Sequence, residues 1–140
     1  IGGCFGSTGP ISKIYPTEQR YRFKFPVVTI QDMVKAQRIL LDRLKIDKVR
    51  AIIGGSMGGM QALRFAVDYP NFADIVIPIS TTYATSPSVI AANRIMMEAI
   101  KKDPSFKNGN YEPEEFRSSE SSGLAIARMI GFLHYLACWF

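Results

Sequence analysis

"IIGGSMGGMQA", Ile52 to Ala62, places four glycines around one serine directly after an apolar run. Three readings compete for so permissive a frame. Ser56 is a reactive hydroxyl, or the glycines cradle a phosphate, or the segment is a tight turn that simply needs glycine.

A phosphate loop of the Walker type requires Lys and then Ser or Thr after its last glycine, and here Gly59 is followed by Met60 and Gln61. A dinucleotide fingerprint requires glycine at its first, third and sixth positions, and counted from Gly54 the third is Ser56 itself. Both phosphate readings fail on residue type. Gly54-Gly55-Ser56-Met57-Gly58 does match G-x-S-x-G, the pattern of a nucleophilic serine raised on a strained strand-to-helix turn. Small residues two before and two after the serine avoid clashes between strand and helix, and the hydroxyl is pushed out over the sheet edge. The Met57 N–H, at the positive end of the helix dipole, supplies half of an oxyanion hole. The bland alternative makes Ser56 an ordinary helix N-cap in a glycine-rich turn.

The flanking sequence decides between them. Val49 to Ile53 is a short β-branched run between a charged turn and the glycines, which suits a strand buried on both faces. Gly58 to Tyr69 has helical spacing through Met60, Leu63 and Val67, and Pro70 ends it. Upstream, "TIQD" at Thr29 to Asp32 is a helix start. Met33, Ala36, Leu40 and Leu44, joined by Val34 and Leu41, predict a helix from Ile30 to Leu44. Downstream, Asp74 to Ile79 is a second apolar run. Helix, strand, helix, strand in that order implies α/β architecture, with parallel strands joined by crossover helices.

Residues 1–28 are rich in Gly, Pro, Ser and Tyr without a period and predict a long loop. No strand signal follows Ile79. Ser86-Pro87 is an N-cap with Pro at the first helical position, and the run to Lys102 carries Val89, Ala92, Met96, Ala99 and Ile100 on one side. Asp103-Pro104 stops it, Phe106 to Ser122 is polar and includes "SSESS" at Ser118 to Ser122, and Gly123 to Tyr135 predicts a last helix. Residues 1–85 are therefore expected to be a core carrying the elbow, and 86–140 a helical insertion over the sheet.

Composition sets outer bounds. A chain of 140 residues is long enough to bury roughly 70% of its unfolded surface, and 47% apolar with 21% charged residues is a globular balance. No apolar stretch approaches the roughly 20 residues of a bilayer span. Net charge is +5, with Lys and Arg scattered rather than clustered, which argues against a nucleic-acid footprint. Cys4 and Cys138 are too few and too far apart for a metal motif or a disulfide framework, so no metal site is expected and a reducing compartment, the cytoplasm, is the default. Ile1-Gly2-Gly3 carries no initiator Met and no signal-peptide pattern, as a chain cut from something longer would.

A serine nucleophile needs a base. His134 is the one histidine, and it falls inside a predicted helix with no strand before it, whereas hydrolases with this elbow place the histidine after the last strands. His134 is accordingly read as an ordinary helix residue.

At this point the chain resembles the homoserine O-acetyltransferase family of α/β-hydrolase-fold acyltransferases. The matching stretches are "GGCFGSTGP" at Gly2 to Pro10, "FPVVTIQDMVKAQRILLDRL" at Phe25 to Leu44, "IGGSMGGMQAL" at Ile53 to Leu63, "YP" at Tyr69-Pro70, "IPIS" at Ile77 to Ser80 and "GLAIARMIG" at Gly123 to Gly131. Leu136 to Phe140 depart from the pattern. The resemblance implies a fragment of an α/β-hydrolase fold with a helical lid insertion. It implies acetyl transfer from acetyl-CoA, a co-substrate and not a bound cofactor, to the hydroxyl of L-homoserine through an acetyl-serine on Ser56, in methionine biosynthesis. Met57 N–H would hold the oxyanion, with the triad Asp and His and the second oxyanion donor outside these residues. Arg128 and Tyr135 would bind the amino acid. They fall with Gly131 at i, i+3 and i+7 on one helical face, and a guanidinium grips a carboxylate with two parallel hydrogen bonds. The resemblance leaves a homodimer of the full-length parent open. A serine esterase or a homoserine or serine succinyltransferase of the same fold, and a catalytically silent fragment, stay as alternatives, because acyl transfer and hydrolysis share the acyl-enzyme.

Overall fold

The structure is a computed structural model that describes residues 2–114 and 122–136. Cys138, Ser118 to Ser121 and the departing residues 137–140 lie outside the described residues. The chain divides into two compact units, one of residues 1–7 and 26–84, the other of residues 8–25 and 85–140.

In the first unit, helix α1 (Ile30–Arg43) starts at a full capping box. The Asp32 N–H donates to Thr29 Oγ1 at 3.1 Å and the Thr29 N–H donates back to the Asp32 carboxylate at 2.9 Å. These bonds hold the Asp32 carboxyl below its ordinary range, the Thr29 hydroxyl contributing most. Strand β1 (Val49–Gly55), helix α2 (Met57–Asp68) and strand β2 (Ala73–Ile79) follow, and β1 pairs parallel to β2 from Val49 against Ala73 to Gly55 against Ile79. A parallel pair needs a crossover, which α2 supplies.

Val34, Phe65 and Phe72 form the core, with Leu41, Ile46, Val49, Ile52 and Tyr69 packed around them. Phe65 sits 5.0 Å from the Tyr69 ring and 5.2 Å from Phe72, the separations of favourable aromatic pairs. Two expectations change here. The buried seam of α1 runs through Val34, Arg38 and Leu41, while Leu40 and Leu44 of the predicted stripe are exposed. The cause is Arg38, whose guanidinium lies 4.3 Å from the centre of the Phe72 ring, so that a cation covers the aromatic cluster where an apolar residue was expected. Among the described elements of this unit, the strands are also covered on one face rather than two. Ile52 and Val76 are half-buried on the side that carries the core, whereas Ile53, Ile75, Ile77 and Ile79, which register pairing places on the opposite face, are exposed, Ile53 by 62%. Both helices of this unit pack on the same side, so no described element of the unit meets that isoleucine face.

In the second unit, helix α3 (Pro87–Lys102) begins at Ser86, whose hydroxyl accepts from the Val89 N–H, and packs along helix α4 (Ser122–Leu136). Ala92 and Ala127 are buried, so the helices meet through small side chains. Asp103 closes α3 and is itself buried. Its carboxylate accepts from the Ser105 N–H and hydroxyl at 2.8 and 2.6 Å and from the Gly123 N–H at 2.8 Å, so that it caps the start of α4. A Cβ on Gly123 would fall on the Ala99 carbonyl, which is why glycine stands there.

Residues 8–25 have more order than a plain loop. Lys13 bridges to Arg20 in an antiparallel pair, and a 3-10 turn spans Arg22–Lys24. Arg22 donates to the Gly109 and Tyr111 carbonyls at 3.0 and 2.9 Å, and both Arg20 and Arg22 meet the Glu112 carboxylate. These two guanidinium groups fasten the segment to residues 109–112, which a period search along the sequence has no means of showing. Among the described residues, no helix is long and apolar enough to cross a membrane.

Candidate functional site: a serine on a strand-to-helix elbow

β1 ends at Gly55, and a single residue, Ser56, separates it from α2. Ser56 has φ 52° and ψ −119°, a region that L-residues with side chains rarely occupy, and α2 starts at the next residue. The serine is exposed and makes no side-chain cap bond to α2. The N-cap reading of Ser56 therefore does not describe this turn. Among the described residues the Ser56 hydroxyl has no hydrogen-bond partner.

The backbone of the elbow is held from several sides. The Ser56 N–H donates to the Ile79 carbonyl at 2.9 Å, extending the β1–β2 ladder by one bond. Its carbonyl accepts from the Gly59 and Met60 N–H groups at 3.0 and 3.2 Å, the first bonds of α2. It accepts also from the Thr81 hydroxyl at 2.7 Å. The Met57 N–H stands in the first turn of α2, where amides have no partner within the helix and the dipole is positive.

The glycines have unequal jobs. A Cβ at Gly54 would fall on the Gly58 carbonyl and lie 2.8 Å from Gly59 N, so the strand can pass the helix only with glycine there. A Cβ at Gly59 would lie 2.6 Å from Thr81 Cγ2. Cβ atoms at Gly55 and Gly58 would meet nothing within 4 Å. The expected size limit two residues before the serine is met at Gly54, while the one expected two residues after it falls instead at Gly59, because the Gly58 backbone, not its missing side chain, faces Gly54.

Arg128 and Tyr135 lie on α4 in the second unit. With Gly131 and Phe132 they line an open recess of about 310 Å³, so the helical spacing does bring the two side chains to one place. Both are exposed, Tyr135 by 82%, and among the described residues Arg128 has no carboxylate partner. Met96 Sδ would lie 3.9 Å from a Cβ on Gly131, an ordinary contact, so Gly131 leaves room without being forced. His134, exposed on the same helix, has Nδ1 at 3.2 Å from the Ile130 carbonyl one turn back, the local bond of a helical histidine. A larger recess, about 670 Å³, opens beside Lys13, Arg20, Arg22 and Glu112. Its arginines are engaged with Glu112 and backbone carbonyls, which makes it a structural clamp.

Two contacts of this picture escaped the sequence reading, that of Thr81 with Ser56 and that of Asp103, read there only as the stop of α3, with Gly123. Thr81 reaches a carbonyl 25 positions away and Asp103 an amide 20 positions away, and no local pattern encodes either contact.

A family profile described as the alpha/beta hydrolase fold matches residues 1–133. A homoserine O-acetyltransferase of Nautilia profundicola is 62% identical over 138 residues, covering 98% of this chain and 38% of its own length. That of Sulfurimonas autotrophica is 56% identical over 137 residues, covering 98% and 37%. The chain thus spans under two-fifths of the length of these relatives. Among solved structures, the homoserine O-acetyltransferase from Bacillus anthracis superposes with a TM-score of 0.79 at 31% identity, over 89% of this chain and 33% of that one. Esterase E22 gives 0.77 at 36% identity, over 87% and 32%. With the elbow geometry and a profile match across nearly its whole length, the chain belongs to the alpha/beta hydrolase fold family.

Proposed function

We propose that the protein carrying this chain is an acyltransferase that moves an acetyl group from acetyl-CoA to the side-chain hydroxyl of L-homoserine. The observation that supports it best is Ser56 itself: a strained, exposed serine between a parallel strand and a helix, its hydroxyl without a hydrogen-bond partner among the described residues, in a chain 62% identical to a homoserine O-acetyltransferase. In this reading Ser56 Oγ attacks the thioester carbonyl, the Met57 N–H stabilises the resulting oxyanion, and the C–S bond breaks to release the thiol and leave acetyl-Ser56. The homoserine hydroxyl then attacks that ester, and Ser56 Oγ leaves with a proton. A proton acceptor and a second oxyanion donor complete this site in the full-length protein. Arg128 pairs with the homoserine carboxylate and Tyr135 adds a polar contact at the same recess. Residues 86–140 act as the lid region of the fold, and the product enters methionine biosynthesis in the cytoplasm.

A second reading, hydrolysis, is favoured by one finding, the TM-score of 0.77 to esterase E22 at 36% identity. The two share the acyl-enzyme and part at its fate, since either an alcohol or water arrives second. The test is to incubate the full-length protein with acetyl-CoA, with and without L-homoserine, and to quantify O-acetylhomoserine and free acetate. Thiol release that stops at about one equivalent per Ser56 without homoserine and continues with it, with O-acetylhomoserine as the product, supports the transferase. Release at the same rate without homoserine, with acetate as the product, supports the esterase.

A further inference from the structure

We infer that Thr81 is a positioning residue for acyl transfer, one that aims the Met57 N–H by clamping the Ser56 carbonyl. The inference rests on the reading of Ser56 as the acyl-carrying serine.

The argument starts from one peptide plane. The Ser56 carbonyl and the Met57 N–H belong to the same planar, trans unit and point in opposite directions, so whatever fixes the oxygen fixes the N–H. That unit follows a residue at φ 52° and ψ −119°, where the backbone by itself relaxes elsewhere. Three donors meet the oxygen. Two are the α2 amides of Gly59 and Met60, which come with the helix, and the third, the shortest at 2.7 Å, is the Thr81 hydroxyl, which comes from outside it.

The chain makes a special turn to deliver that hydroxyl. β2 ends at Ile79, whose carbonyl takes the Ser56 N–H, and Ser80 then adopts φ 45°, a left-handed conformation unusual for serine. Thr81 follows directly, and its hydroxyl reaches the Ser56 carbonyl from outside α2. Its methyl group settles where Gly59 lacks a side chain, since a Cβ there would lie 2.6 Å from Thr81 Cγ2. Hydroxyl and methyl together hold the side chain in one orientation: the methyl against Gly59, the hydroxyl on Ser56. Serine at 81 keeps the hydroxyl and loses the methyl. Valine keeps a methyl but puts an apolar group where the oxygen accepted a bond, and that group has to withdraw to van der Waals distance, tilting the plane.

The test uses the full-length protein and p-nitrophenyl acetate, whose acylation burst reports Ser56 chemistry without an acceptor. Wild type, Ser56→Ala, Thr81→Val, Thr81→Ala and Thr81→Ser are compared by burst rate, by KM for the ester and by thermal unfolding. Removing an oxyanion donor outright lowers rates roughly 10²- to 10³-fold, so misaiming one is expected to lower the burst rate by about tenfold or more. That loss is expected in Thr81→Val and Thr81→Ala, with KM within about twofold, and Thr81→Ser restores most of the rate. Should Thr81→Val fail to fold, Thr81→Ala, which removes the hydroxyl without adding bulk, carries the comparison. A folded hydroxyl-free variant with the wild-type burst overturns the role of Thr81, and so does a Thr81→Ser variant as slow as Thr81→Ala, which would assign the effect to the methyl. A burst that survives in Ser56→Ala, or is missing in wild type, overturns the acyl-serine reading and this inference with it.

Discussion

The unequal glycines of the elbow give a graded prediction. In Gly54→Ala the new Cβ lands on the Gly58 carbonyl and 2.8 Å from Gly59 N. Every atom it meets is backbone of the first turn of α2, so the clash is relieved only if the helix end moves, by roughly 1 Å. Overpacking of this kind costs about 1–3 kcal/mol, and a misplacement of about 1 Å at a nucleophile lowers rates by roughly 10²-fold. Gly58→Ala meets no heavy atom within 4 Å and lies in a helix at ordinary φ. Alanine there is neutral to stabilising by up to about 1 kcal/mol, because glycine loses more backbone entropy on folding. Gly59→Ala falls between, since its neighbour is the Thr81 methyl, a side-chain atom that can give way. The assay is urea unfolding of the three full-length variants, with the acylation burst as the second readout. A Gly58→Ala variant as unstable and as slow as Gly54→Ala would refute the reasoning, since both glycines would then be equally constrained.

Other outcomes follow from the packing and the charges. Phe65→Ala removes the ring at the centre of the Tyr69–Phe72 cluster and should destabilise by about 3–5 kcal/mol, read by urea unfolding; a loss under about 1 kcal/mol would show that Phe65 is not central to that core. The Ser105 hydroxyl, then the Gly123 and Ser105 amides, hold the Asp103 carboxyl below its ordinary range. A carboxyl depressed in the folded state contributes stability above its unfolded pKa of about 3.9, and that stability is lost as pH falls through the folded value. Thermal scans below about pH 4 should therefore show a decline that Asp103→Asn flattens, and identical acid limbs would contradict the cap. Arg128→Ala should raise the KM for homoserine by roughly ten- to a hundredfold, the worth of hydrogen bonds to a charged group, and leave acylation of Ser56 intact; an unchanged KM would remove that role.

How far the sequence reached depends on the range of each interaction. The elbow was legible because strand, serine and helix are contiguous, so one stretch from Val49 to Tyr69 carries both periods and the glycines between them. Capping was legible at Thr29 and Ser86 for the same reason, the partners being three residues apart. The buried seam of α1 was misjudged because Arg38 counts as polar in any periodicity, and only the Phe72 ring beneath it makes that position a core position. Burial of β1 on both faces was expected from its β-branched run, but a run specifies what a strand prefers and not which elements are there to cover it. The clamp of Arg20 and Arg22 on Glu112 joins segments about ninety residues apart and leaves no local trace.

The central claim, that Ser56 carries the acyl group, is tested most directly by intact-protein and peptide mass spectrometry of the full-length protein after exposure to acetyl-CoA without acceptor. The expected result is one added acetyl group on the peptide that contains Ser56, discharged by L-homoserine and missing in Ser56→Ala. Acetylation at an unchanged level in Ser56→Ala would contradict it.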